Sequence, residues 1–186
     1  MAAHKQLTGA LQVVANLARC IALKRALAAA DPDPALNFWR VLHGNLLDMA
    51  VLEWCKLFGS DDEDHQLVHW KNVFTDEAVF RADLLAHLGT DLPTWTGYWH
   101  QLKAYRDQHV AHLDFSKRDV THYPDLDAAL ASATYYYRRL IAELRAQGEA
   151  RFPDDLGAYY EEFLAQAREI AQAATASTRG FPERVR

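Results

Sequence analysis

Residues 92–114 read LPTWTGYWHQLKAYRDQHVAHLD. Pro93 suits the first turn of a helix, where its missing amide hydrogen is no loss, and either Asp91 or Thr94 offers the short polar side chain that caps one. Helical spacing then runs without a breaker to about His112. At about 100° per residue, Trp95, Tyr98, Trp99, Leu102 and Leu113 share one apolar sector, with Arg106 in its middle. His109 falls close beside Arg106, and His112 at the sector edge on the side of Tyr98 and Tyr105. The polar face is made of Thr96, His100, Lys103, Ala104 and Asp107. A guanidinium cannot lie in an apolar stripe unpaired, because an uncompensated buried charge costs several kcal/mol or more. Three arrangements satisfy Arg106: an internal acid, a subunit seam, or a cleft that receives an anion.

The flanking sequence predicts more helices and no strand. Leu7, Leu11, Val14, Leu17, Ala18 and Ile21 repeat at helical spacing within a first helix, 6–30, which Asp31-Pro-Asp-Pro34 stops because proline lacks the amide donor and pushes its predecessor out of the α region. A second helix, 35–58, spreads Phe38, Trp39, Leu42, Leu46, Met49, Leu52, Trp54, Cys55 and Phe58 over a wide sector, the pattern of a central helix touching partners on more than one side. Gly59 ends it, residues 60–64 read as a solvated acidic loop, and 65–74 are poorly defined. Thr75 is the expected cap of a short helix to His87, with Gly89 as its stop. After a loop at 113–124 come helices at 125–147, closed by Gly148, and 154–175. The expectation is an all-α bundle of about six helices, one domain over residues 1–178, with a flexible tail at 179–186.

Composition narrows the function. The 186 residues are 50% apolar and 24% charged, enough for a packed core. A net charge of −5 argues against a broad basic surface for long duplex DNA, although a local basic pocket is compatible with it. Residues 1–11 carry His4 and Lys5 but no continuous apolar run. No stretch approaches the roughly 18 apolar residues that span a bilayer. The expected setting is the cytoplasm, without a membrane partner. The two cysteines, Cys20 and Cys55, each flanked by apolar residues, read as buried reduced thiols rather than a disulfide framework.

The run Tyr105-Arg-Asp-Gln-His-Val-Ala-His-Leu-Asp114 resembles the signature of the HEPN superfamily (higher eukaryotes and prokaryotes nucleotide-binding): an Arg, a polar residue straight after it, and a His a few residues on. Here Asp107 is the polar residue and five residues separate Arg106 from His112. Together with Asn37-Phe-Trp39, Leu52-Glu-Trp-Cys-Lys-Leu-Phe58 and His69-Trp70, the run is similar to the abortive-infection, AbiU-like branch. The resemblance spans about residues 35–145. It implies a helical domain that forms a homodimer through the motif helix, so that two Arg/His pairs meet at a shared cleft. In many members that cleft is a metal-independent ribonuclease site of a defence or toxin protein, some of which pair with an antitoxin protein. Other members bind RNA, a nucleotide or a partner protein without cutting.

The residue types suit such chemistry. When a 2′-hydroxyl attacks its neighbouring phosphorus, a proton must be taken, another given to the leaving oxygen, and the developing charge held. His112 can carry the protons, since imidazole titrates near neutrality. Arg106 can hold the phosphate through its planar fork. Asp107 either orients one of these or pairs with Lys103 one turn back. His109 is either a substrate-binding imidazole or a hydrogen-bonded seam residue, and Tyr105, beside the substrate position, is read as packing before chemistry. In members controlled by a nucleotidyltransferase antitoxin, a tyrosine two positions past the motif histidine is modified. Asp114 stands there in this chain, followed by Phe115, so that route of control is in doubt. No cofactor or metal is expected: His65 and His69 lie one helical turn apart after Asp62, Glu63 and Asp64, but no third ligand sits at a diagnostic distance. Tyr135-Tyr-Tyr137 points three ways on a helix, so at least one of the three is core and the run is not read as a stacking platform.

Overall fold

A computed structural model describes residues 3–59, 67–110 and 123–184. The chain is all-helical: α1 (His4–Ala30), α2 (Asn37–Phe58), α3 (Trp70–Val73), α4 (Glu77–Leu88), α5 (Leu92–Tyr105) continued by a π-helical turn (Arg106–Val110), α6 (Asp127–Ala146) and α7 (Leu156–Thr178). No strand occurs among the described residues. The stretch expected to be poorly defined contains the four residues of α3, which brings the α-helices among the described residues to seven. No described helix is long and apolar enough to cross a membrane.

The helix ends follow local chemistry. Asp31 terminates α1 ahead of Pro32 and Pro34. At α4 the cap is Asp76, whose carboxylate accepts the Val79 amide at 3.1 Å; Thr75, the expected cap, is displaced by one residue because the carboxylate is the better acceptor for an amide at a helix start. Asp91 caps α5 through the Thr94 amide at 2.9 Å, with Pro93 in the first turn. Gly89 leaves α4 at φ +61, a left-handed conformation that a side chain would strain. Beyond α7 the Glu183 carboxylate accepts the Asn37 amide at 2.6 Å, meeting one of the donors that the start of α2 leaves open.

The central helix is α1. It packs against α2, α6 and α7, whereas α2 packs against α1, α5 and the π turn. This corrects the expectation that α2 is central. Ala10, Ala18, Ala22 and Ala26 on α1 are all buried and let neighbouring helices close in, with Leu7, Val14, Leu17 and Ile21 filling between them. The wide apolar sector of α2 is only half used: Trp54, Leu57 and Phe58 are buried, but Phe38, Val41, Leu42 and Met49 stay exposed.

Trp54 knits the bundle together. Its ring is fully buried within 6 Å of Phe58, Trp95 and Tyr98, and its indole N–H donates to Ser132 Oγ on α6 at 3.0 Å. The Ser132 hydroxyl in turn donates to the Ala129 carbonyl at 3.0 Å, so both of these buried polar groups are matched. Tyr135, Tyr136 and Tyr137 are all buried, where their three directions on the helix required only one of them to be core.

Candidate functional site

The site is built where the end of α5 and the π turn pack against the second half of α2. Up to Tyr105 the expected helix holds: Leu102 is fully buried, and Trp95, Tyr98 and Trp99 pack partly buried against the core. The next five residues widen into a π turn, a rare geometry that often marks functional positions. A wider turn rotates every later residue away from its α-helical projection. Tyr105, the last residue of α5, is buried like Leu102 before it, and Arg106, the first residue of the π turn, keeps its side chain 24% exposed, so it sits at the border of the apolar stripe.

Arg106 is paired with its own neighbour. Its Nε and Nη2 reach Asp107 Oδ1 at 2.7 and 2.6 Å, and Lys103 Nζ reaches the other oxygen, Oδ2, at 3.1 Å. The two roles left open for Asp107, orienting Arg106 and bridging to Lys103, are thus filled together. Partial burial raises the Asp107 carboxyl, but the bonds from Arg106 and Lys103 outweigh it and hold the group below the usual carboxylate range. Two cations around one anion leave this corner with a net charge of +1 at neutral pH. Two guanidinium donors are spent on Asp107, and the guanidinium also lies within hydrogen-bonding reach of the Cys55 thiol.

Beneath the arginine lies Cys55 of α2. Burial pushes its thiol up to about 11, against an opposing pull from the Arg106 guanidinium within hydrogen-bonding reach. At pH 8 about one thiol in a thousand is then ionised, so Cys55 should resist a disulfide reagent such as dithionitrobenzoate in the native chain and react in urea. One equivalent or fewer released before unfolding, and two after, is the expected titration; prompt release of two from the native chain would place Cys55 elsewhere.

Tyr105 is more than packing. Its hydroxyl donates to Asp48 Oδ1 on α2 at 2.7 Å, and burial followed by that carboxylate drives the phenol far above its ordinary value. The His109 ring lies 5.3 Å from the Tyr105 ring, half-buried, so a single α2 carboxylate anchors the tyrosine against which the histidine rests. On the same stretch of α2, His43 accepts from Lys24 Nζ of α1 at 3.2 Å. Burial lowers both groups; the Lys24 ammonium lowers His43 further, while Asp48 partly restores Lys24. Sequence reasoning singled out none of Lys24, His43 or Asp48. The signal for Asp48 was there, a carboxylate set between Leu47 and Met49 within the apolar run Leu46–Leu52.

The structure thus brings Tyr105, Arg106, Asp107 and His109 together. His112, like His65, Asp114 and Phe115, lies outside the described residues, and so does the acidic stretch 60–64. Among the described residues no cluster of three or more His, Cys, Asp or Glu side chains is arranged to hold a metal ion. Compared with family models, curated proteins and solved structures, the chain matches none of them.

Proposed function

We propose that the chain is a metal-independent endoribonuclease of the HEPN type, acting in defence or as a toxin, with Arg106 on the scissile phosphate and His112 moving the protons. The observation that supports it is the paired Arg106–Asp107 unit in a π turn, border-exposed and carrying surplus positive charge with His109 alongside. Asp107 holds the guanidinium in one orientation before substrate arrives, so less side-chain entropy is lost when a phosphate binds. His112 follows in the same run of sequence and supplies the group that titrates near neutrality.

A homodimer completes the reading. Phe38, Val41, Leu42 and Met49 form an exposed apolar face on α2, the helix against which the π turn packs, and such a face is the surface a second copy would cover. Two motifs then share one cleft and supply two imidazoles. In a setting with an antitoxin protein, that partner would act by closing the same cleft. The rival reading is a HEPN domain that binds RNA, a nucleotide or a protein without cutting it, and the Arg106–Asp107 pair serves it equally, since holding a phosphate needs the oriented guanidinium but no proton transfer.

Cleavage in EDTA separates the two. The purified chain, incubated with structured and unstructured RNA and excess chelator, is expected to leave 2′,3′-cyclic phosphate ends, and the His112→Ala chain to leave the RNA intact. Intact RNA with an Arg106-dependent gel shift would move the assignment to the binding domain. Cleavage unaltered by His112→Ala, or cleavage by a chain that sediments as a monomer, would remove the shared His112 cleft.

A further inference from the structure

We propose a second site, for a small carboxylate-bearing ligand with a flat apolar body, in the groove between α1, the start of α7 and the segment joining α6 to α7. The groove has a volume of about 230 Å³. Its floor and far wall are apolar and largely aromatic, including Leu11, Phe152, Leu156 and Tyr159, whereas its near rim carries Gln12, Asn16 and Arg19 at successive turns of α1. None of its lining residues is in the neighbourhood of Arg106.

Arg19 is what selects an anion. The chain is acidic overall, and six of its fourteen arginines, Arg25, Arg40, Arg106, Arg139, Arg145 and Arg151, sit on an Asp or Glu. Arg19 instead donates its Nε–H to the neutral Tyr159 hydroxyl at 2.6 Å, with its guanidinium carbon 5.6 Å from that ring's centroid. Among the described residues that line the groove there is no Asp or Glu; Asp154 and Asp155 act on Tyr137 from beside it. The tyrosine therefore fixes the guanidinium over the cavity without neutralising it, leaving the terminal N–H donors to a ligand's two oxygens. Gln12 and Asn16 add uncharged hydrogen-bonding groups along the same rim, and the aromatic wall suits a flat body more than a flexible chain.

The probe is 2-naphthoate, titrated calorimetrically into the full-length chain, with the neutral 2-naphthamide beside it. The acid is expected to bind saturably and at least tenfold tighter than the amide, with amide-resonance shifts at Asn16 and Gly157. Arg19→Gln should abolish the preference, and Arg19→Lys should keep part of it. Ala15→Met, which adds bulk to the groove, should weaken both ligands at least fivefold while circular dichroism shows an unchanged helix content. Absence of saturable binding at millimolar ligand, equal affinity for acid and amide, or an acid preference that survives Arg19→Gln would overturn the site. Each result stands apart from RNA cleavage, which involves none of these residues.

Discussion

Arg106→Ala is expected to slow single-turnover RNA cleavage by about 10²–10³-fold, the usual effect of removing one preorganised donor from a developing oxyanion. The stability change should be small. Arg106 is partly exposed, its partner Asp107 retains Lys103, and ion pairs of this kind contribute at most about 1 kcal/mol, or a few degrees in Tm for a chain of this size. A tenfold or smaller rate loss, measured on a chain whose melting curve overlays the wild type, would remove Arg106 from the phosphate. A collapse in Tm would make it a structural pair.

Trp54→Ala carries the largest expected effect on stability, a loss of about 3–5 kcal/mol in urea unfolding. The side chain is fully buried where α2 and α5 meet α6, so its removal opens a cavity among Phe58, Trp95 and Tyr98 and leaves Ser132 Oγ without its indole donor. Trp54→Phe keeps most of the volume and loses only the hydrogen bond and part of the ring, so its cost should be less than half as large. Equal losses for the two variants would mean that the indole hydrogen bond, not the packing, sets the stability.

Particular residues show which features were legible in the sequence. Asp31-Pro-Asp-Pro34, Asp91-Leu-Pro93, Gly89 and Gly148 act through local backbone rules, and the helices begin or end beside them, with Gly89 and Gly148 in the left-handed conformation. Which helix the others surround is a matter of packing between distant segments. The alanines of α1 admit close neighbours, while the larger apolar residues of α2 merely looked more core-like. Thr75 against Asp76 shows the one-residue ambiguity that arises when two capping side chains adjoin.

At the site, the residues themselves were legible but their directions were not. Projecting Arg106 at a constant angle per residue placed it in mid-stripe; its side chain is 24% exposed while Tyr105 beside it is buried, and the π turn that begins at Arg106 turns the residues after it away from their α-helical directions. Asp48 enters only through a contact 57 residues away, the Tyr105 hydroxyl bond, which no helical spacing encodes. Lys24 and His43 meet in the same non-local way, from two helices joined by the Asp-Pro turn.

The most direct test uses one atom of the substrate. Once a cleaved position is mapped on a single-stranded RNA in excess EDTA, the same strand is made with a single 2′-deoxy nucleotide on the 5′ side of that bond. Attack by the neighbouring hydroxyl under Arg106 and His112 predicts that this one bond is no longer cut, while other cleaved positions in the strand are cut as before. Continued cleavage at the deoxy position, or cleavage of the all-DNA strand, would contradict the account.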